Sequence, residues 1–183
     1  MKIEGYKALF DDCSTRDGTI LKAKNIYICN SVIKFRHSGY HFCKRLEDTL
    51  RYYDGFKEIQ FARVIGSGII TTYDDEYYGY YDMYACSELY VDHFLSKQEI
   101  NTYIEKLIKL APYNPERILR FIRGYKLTNK QKEQIVTSIN DKYTKERCHK
   151  AIEYYQENKK YVYEINSRWK NERRISNNRA SKK

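Results

Sequence analysis

Proline and glycine are scarce, at two and eight residues in a chain of 183. That excludes Pro-rich spacers, collagen-like repeats and Gly-rich linkers. No run approaches the roughly 20 apolar residues of a membrane-spanning helix. Lys2, Glu4, Lys7, Asp11 and Asp12 interrupt the N-terminal stretch, so no signal peptide is expected there. The protein is therefore expected to stay in the cell that makes it. GxSxG, HExxH, phosphate-loop and dinucleotide fingerprints are all missing. His37, His41, His93 and His149 are scattered, so catalysis has no visible constellation. There is no CxxC pair. Only Cys148-His149 and His41-x-Cys43 bring possible metal ligands close together, whereas structural zinc sites usually show close ligand pairs. The five cysteines (Cys13, Cys29, Cys43, Cys86 and Cys148) are odd in number and widely spaced, which fits reduced, structural thiols. The reading is a non-enzymatic protein with no cofactor and no metal.

Hydrophobic residues make up 42% of the chain, enough for a packed core and against wholesale disorder. Charge is the most informative quantity. Residues 1–95 hold 12 Lys and Arg against 14 Asp and Glu, a net of −2. Residues 96–183 hold 22 against 10, a net of +12, which accounts for the overall +10. The whole basic excess belongs to the second half, and such asymmetry points to an anionic partner for that region.

Two textures divide the chain at the same place. Residues 1–95 alternate strand-like and turn-like text. Residues 5–10 are apolar, Asp17-Gly18 is a hairpin signal, and Ile20, Ile26 and Ile28 alternate with polar positions. A short helix is expected over residues 44–53, with Leu46, Thr49, Leu50 and Tyr53 inward and Lys44, Arg45, Glu47, Asp48 and Arg51 outward. Residues 57–72 read as a strand with a bend or bulge at Gly66 and Gly68, and residues 80–91 as its partner across an acidic turn. Residues 96–183 are helical. Ser96 with Glu99 and Thr128 with Gln131 are capping boxes, Asn114-Pro115-Glu116 opens a helix, and Gly124 closes it. From 141 to 174 the text stays helical, followed by a loose basic tail. The expected fold is α+β: a small, mainly antiparallel sheet with one helix, then a C-terminal basic helical bundle.

The basic helices supply the candidate interface. Arg117, Arg120 and Arg123 recur every three residues, with Lys126 just beyond, and Arg168, Lys170, Arg173 and Arg174 crowd Trp169. Guanidinium forks pair with phosphate, and aromatic rings stack on bases. Most charge runs are solvated helix faces, but phosphate neutralisation is what a net of +12 serves best. The chain has 20 tyrosines. Tyr77, Tyr78, Tyr80 and Tyr81 form a candidate protein-contact patch, because such rings offer large amphipathic area at low rotamer entropy. A Tyr-faced hairpin built by β-propensity alone is the alternative.

Gly39-Tyr40-His41-Phe42-Cys43, then Leu50-Arg51-Tyr52-Tyr53, then Phe61-Ala62-Arg63-Val64 with Gly66, resembles a small uncharacterised phage domain with a Gly-aromatic-His-Phe-Cys signature. The likeness covers roughly residues 5–95. It carries no activity to transfer. A small phage-type domain joined to a basic helical region is similar in style to the anti-CRISPR proteins that inhibit Cas9. The resemblance implies an inhibitor that blocks nucleic-acid engagement by a Cas9–guide RNA complex. A general DNA- or RNA-binding protein is one alternative. An ADP-ribosyltransferase-like enzyme is another, suggested by the Gly-aromatic-His-Phe element before a helix, although no glutamate for that chemistry can be placed. Oligomeric state is open.

Overall fold

The computed structural model describes residues 1–34, 37–53, 59–72 and 83–157. The fold is mixed α+β, with a five-stranded antiparallel sheet and, among the described residues, five α-helices. The chain forms two compact units. One comprises residues 1–49 and 59–96, the other residues 50–58 and 97–183.

The first unit holds β1 (Ile3–Phe10), β2 (Asn25–Ile28), β3 (Tyr40–Cys43), α1 (Leu46–Thr49), β4 (Ile59–Thr72) and β5 (Met83–Phe94). Its pairing is circular. β1 lies along β4 from Ile3↔Gly66 to Phe10↔Ile59 and meets β3 at Tyr6↔Cys43. β3 continues onto β5, and β5 returns to β4. β2 adds to β5 outside this ring. Where the β1–β3 ladder has one rung, the Lys7 side chain supplies another link, Nζ donating to the His41 carbonyl at 2.6 Å. The two-residue strand period sends Leu9, Phe42, Val64, Cys86, Leu89 and Val91 into one core with Leu21 and Ala62. On the other face, Arg63 bonds Glu4 at 2.6 Å and covers the Tyr6 ring at 4.8 Å.

Phe42, the aromatic centre of the Gly-Tyr-His-Phe-Cys block, explains two glycines. A Cβ on Gly66 would lie 2.6 Å from its Cζ, and one on Gly5 would run first into the Cys43 carbonyl oxygen and then lie 2.8 Å from Phe42 Cδ2. Gly66 therefore serves close packing. The expected bend belongs to Gly68, which has φ +73° and sits in the register shift between Ser67 and Ile70.

β2 is an outer strand on which Ile26 and Ile28 are 66% and 63% exposed, while Tyr27 packs against the core. Two expectations need correction. Glu47 and Asp48, expected outside, are fully buried; Arg45 Nε reaches the Asp48 carboxylate at 2.8 Å and offsets its charge. The expected helix over residues 44–53 is only α1 followed by a 3-10 turn at Leu50–Tyr52.

The second unit contains α2 (Lys97–Leu110), α3 (Pro115–Gly124), α4 (Asn129–Ser138) and α5 (Lys142–Ile152), which continues into a π-helical turn at Glu153–Glu157. Apolar residues at helical spacing face inward: Ile100, Ile104, Leu107 and Ile108 on α2, Ile118, Leu119, Phe121 and Ile122 on α3, Ile135 on α4, and Cys148, Ala151 and Ile152 on α5. The Thr128–Gln131 capping box forms with both arms in place. Asn114 stands at the N-cap of α3 but makes no side-chain capping bond, so Pro115 carries that start. Gly124 ends α3 for a packing reason: a Cβ there would lie 2.7 Å from Leu50 Cβ. No helix among the described residues is long and apolar enough to cross a membrane.

Candidate nucleic-acid interface

A three-residue step falls short of the 3.6-residue helical turn, so Arg117, Arg120 and Arg123 spiral around α3 rather than stacking in one row. Arg117 lies at the edge of the buried stripe and is half-buried, with Nη2 donating to the Tyr103 hydroxyl at 3.4 Å. Arg120 is half-buried and Arg123 exposed. Lys126 is exposed in the loop that joins α3 to α4. The outward cations of this region are therefore Arg123 and Lys126, joined by exposed Lys130 in the first turn of α4.

One side chain fixes the shape of that loop. Gln156, in the π-helical turn, accepts from the Leu127 amide at 2.9 Å and donates to the Tyr125 carbonyl at 2.9 Å. It also donates to the Ile122 carbonyl. These bonds satisfy carbonyls left without helical partners at the end of α3. The same turn brings Tyr155 under Arg123, with Cζ 5.8 Å from the ring centroid, and sets Tyr154 edge-on to Tyr155 at 4.9 Å. A cation, two aromatic rings and a fixed loop thus come together from α3 and the end of α5.

Several cations of this unit are occupied by acids. Arg147 Nη2 bonds Glu116 at 2.6 Å, Lys150 bonds Glu146 at 2.7 Å, and Lys132 faces Glu157 at 3.5 Å. The hydrogen bond to Glu146 holds the Lys150 ammonium protonated and pushes its pKa up. The same bond draws the Glu146 carboxyl down. Among the described residues, no group of three or more His, Cys, Asp or Glu is placed to hold a metal ion.

Of the residues singled out in the sequence, Arg117, Arg120, Arg123 and Lys126 share α3 and its loop. Arg168, Trp169, Lys170, Arg173 and Arg174 lie outside the described residues, as do Tyr77, Tyr78, Tyr80 and Tyr81. Sequence reasoning missed Gln156 and Tyr154, and read Tyr155 only as part of a buried stripe. Tyr155 continues the Cys148–Ala151–Ile152 stripe and was visible as such, but a π-helical turn has no sequence signature that would have placed Gln156 beside it. Compared with protein-family models, curated protein sequences and solved structures, the chain finds no match in any of the three.

Proposed function

We propose that this protein binds the phosphate backbone of nucleic acid, alone or within a ribonucleoprotein, through the basic residues of its second half. The observation that carries this reading is the net +12 of residues 96–183 against −2 for residues 1–95. Arg123, exposed near the end of α3 over the Tyr155 ring, and Lys126, exposed in the loop beyond, support it. Neutralising phosphates and releasing their counterions is the service such an excess performs best. In this reading residues 96–183 act as a basic helical bundle that includes Arg168, Trp169, Lys170, Arg173 and Arg174. The Tyr-rich segment with Tyr77, Tyr78, Tyr80 and Tyr81 adds protein contacts. The most concrete form is a phage-encoded inhibitor that occupies the nucleic-acid groove of a Cas9-type effector in the bacterial cytoplasm.

The test is a cleavage assay with a Cas9–guide RNA complex, run beside direct binding to duplex DNA and to guide RNA. Inhibition of cleavage that weakens in the Arg123→Glu, Lys126→Glu double variant supports the effector form. Binding to free nucleic acid without inhibition reduces the reading to a general nucleic-acid binder. Absence of binding to all of these ligands at low salt rejects it.

A further inference from the structure

Among the described residues, β2 has one strand neighbour, β5, so its other edge is open. The pairing fixes which backbone groups face that edge. Cys29 donates its N–H to the Ser87 carbonyl at 2.8 Å, and this pair continues the register Ile28↔Glu88. In an antiparallel ladder the direction of the N–H and C=O groups alternates along the strand. Asn25, Tyr27 and Cys29 therefore bond β5, whereas the N–H and C=O groups of Ile26 and Ile28 point to the open side. Edge strands are usually guarded by lysine, proline or inward charge. This one presents two exposed isoleucines, and the ammonium of the nearest lysine, Lys24, is bonded to Asp92 at 2.6 Å. The apolar row continues across the sheet, with Ile26 beside Tyr90 and Tyr90 beside Ile65. Beside that row Arg63 pairs with Glu4 at 2.6 Å, and Glu88 accepts from the Ser67 hydroxyl at 2.8 Å.

The strand is complementary to itself. A second β2, turned about a two-fold axis at Tyr27, sets Ile26 opposite Ile28 and Asn25 opposite Cys29. The open N–H and C=O groups of Ile26 and Ile28 then bond their counterparts, and two isoleucines from each copy meet on one face. Lys24 falls opposite Asn30, so no charge meets a like charge across the pair. We propose that β2 pairs antiparallel with β2 of a second copy of this chain, joining the two sheets into one across an isologous interface.

Sedimentation velocity on the full chain, over a concentration series, should show a passage from one chain to two. Each copy carries +10, so added salt should favour the pair by screening their repulsion, opposite to its effect on phosphate binding. The Ile26→Lys, Ile28→Lys double variant should stay a single chain at the highest concentration. Its thermal midpoint should hold, because both side chains are exposed. Amide hydrogen exchange locates the contact: Ile26 and Ile28 should slow as pairs form, whereas Tyr27, already bonded to β5, should not change. A wild type that remains a single chain throughout the series, or a pair that survives the double variant, overturns the proposal.

Discussion

Phe42 occupies space that Gly5 and Gly66 leave open, and its ring stacks on Tyr84 at 5.4 Å with the planes 25° apart. Gly66→Ala should therefore force the ring aside and cost about 1–3 kcal/mol, the usual penalty of overpacking, read from the urea midpoint. The thiols give a second residue-scale prediction. Burial pushes Cys86 and Cys148 up to about 11 and raises Cys43 further. A thiol must ionise to react, so Cys43, Cys86 and Cys148 should stay silent to Ellman's reagent at pH 7.5 and react in urea. The linkage has a definite sign. The stability these neutral thiols contribute is present below their ordinary value of 9.0 and is lost as pH rises toward 11. Alkaline urea titrations should flatten in Cys86→Ala and Cys148→Ala. Much at this scale was legible: Phe42 and Cys43 are strand residues facing a core, as their apolar run implied. Lys7 was not. A charged residue reads as exposed, yet its inward position lets it bond the His41 carbonyl, and burial lowers its pKa. Only the closure of β1 against β3 reveals that acceptor.

Among elements, the helices of the second unit were the most legible part of the fold, because caps and apolar periodicity agreed. At Thr128 the hydroxyl accepts from the Gln131 amide at 3.2 Å, and the Gln131 side chain accepts from the Thr128 amide at 2.9 Å. Thr128→Ala should cost about 1 kcal/mol, measured by urea unfolding. Asn114→Ala should cost less, since that side chain makes no capping bond. The loop after α3 was illegible for a different reason. Its geometry depends on Gln156, which is distant in sequence and reaches Ile122, Tyr125 and Leu127 only because the end of α5 forms a π-helical turn. Gln156→Ala should leave those backbone groups unsatisfied and cost about 1–3 kcal/mol in the same measurement. The strands were read less well at their edges. β2 shows the alternation of a strand, but its exposed face carries Ile26 and Ile28, so the hydrophobic pattern alone does not tell which side meets the core.

For the whole molecule, charge is the organising fact. The unit of residues 50–58 and 97–183 carries +12, since Arg51 and Lys57 cancel Asp54 and Glu58, and the other unit carries −2. Ion pairs within the second unit then decide which cations can face a partner. Arg147, Lys150 and Lys132 meet acids, whereas Arg123 and Lys126 stand exposed at the end of α3. Charge asymmetry was fully legible in the sequence, but this sorting was not, because it depends on which helices pack together. The most direct test is affinity across a salt series, for single-stranded and duplex DNA, with wild type and the Arg123→Glu, Lys126→Glu double variant. Log affinity of the wild type should fall linearly with log salt, by about 0.7–0.9 per phosphate contact. The variant should bind more weakly with a shallower slope, and its thermal midpoint should barely move, because exposed charges contribute little to folding. Binding that ignores salt, or a slope the double reversal leaves unchanged, would contradict the assignment of phosphate contacts to Arg123 and Lys126.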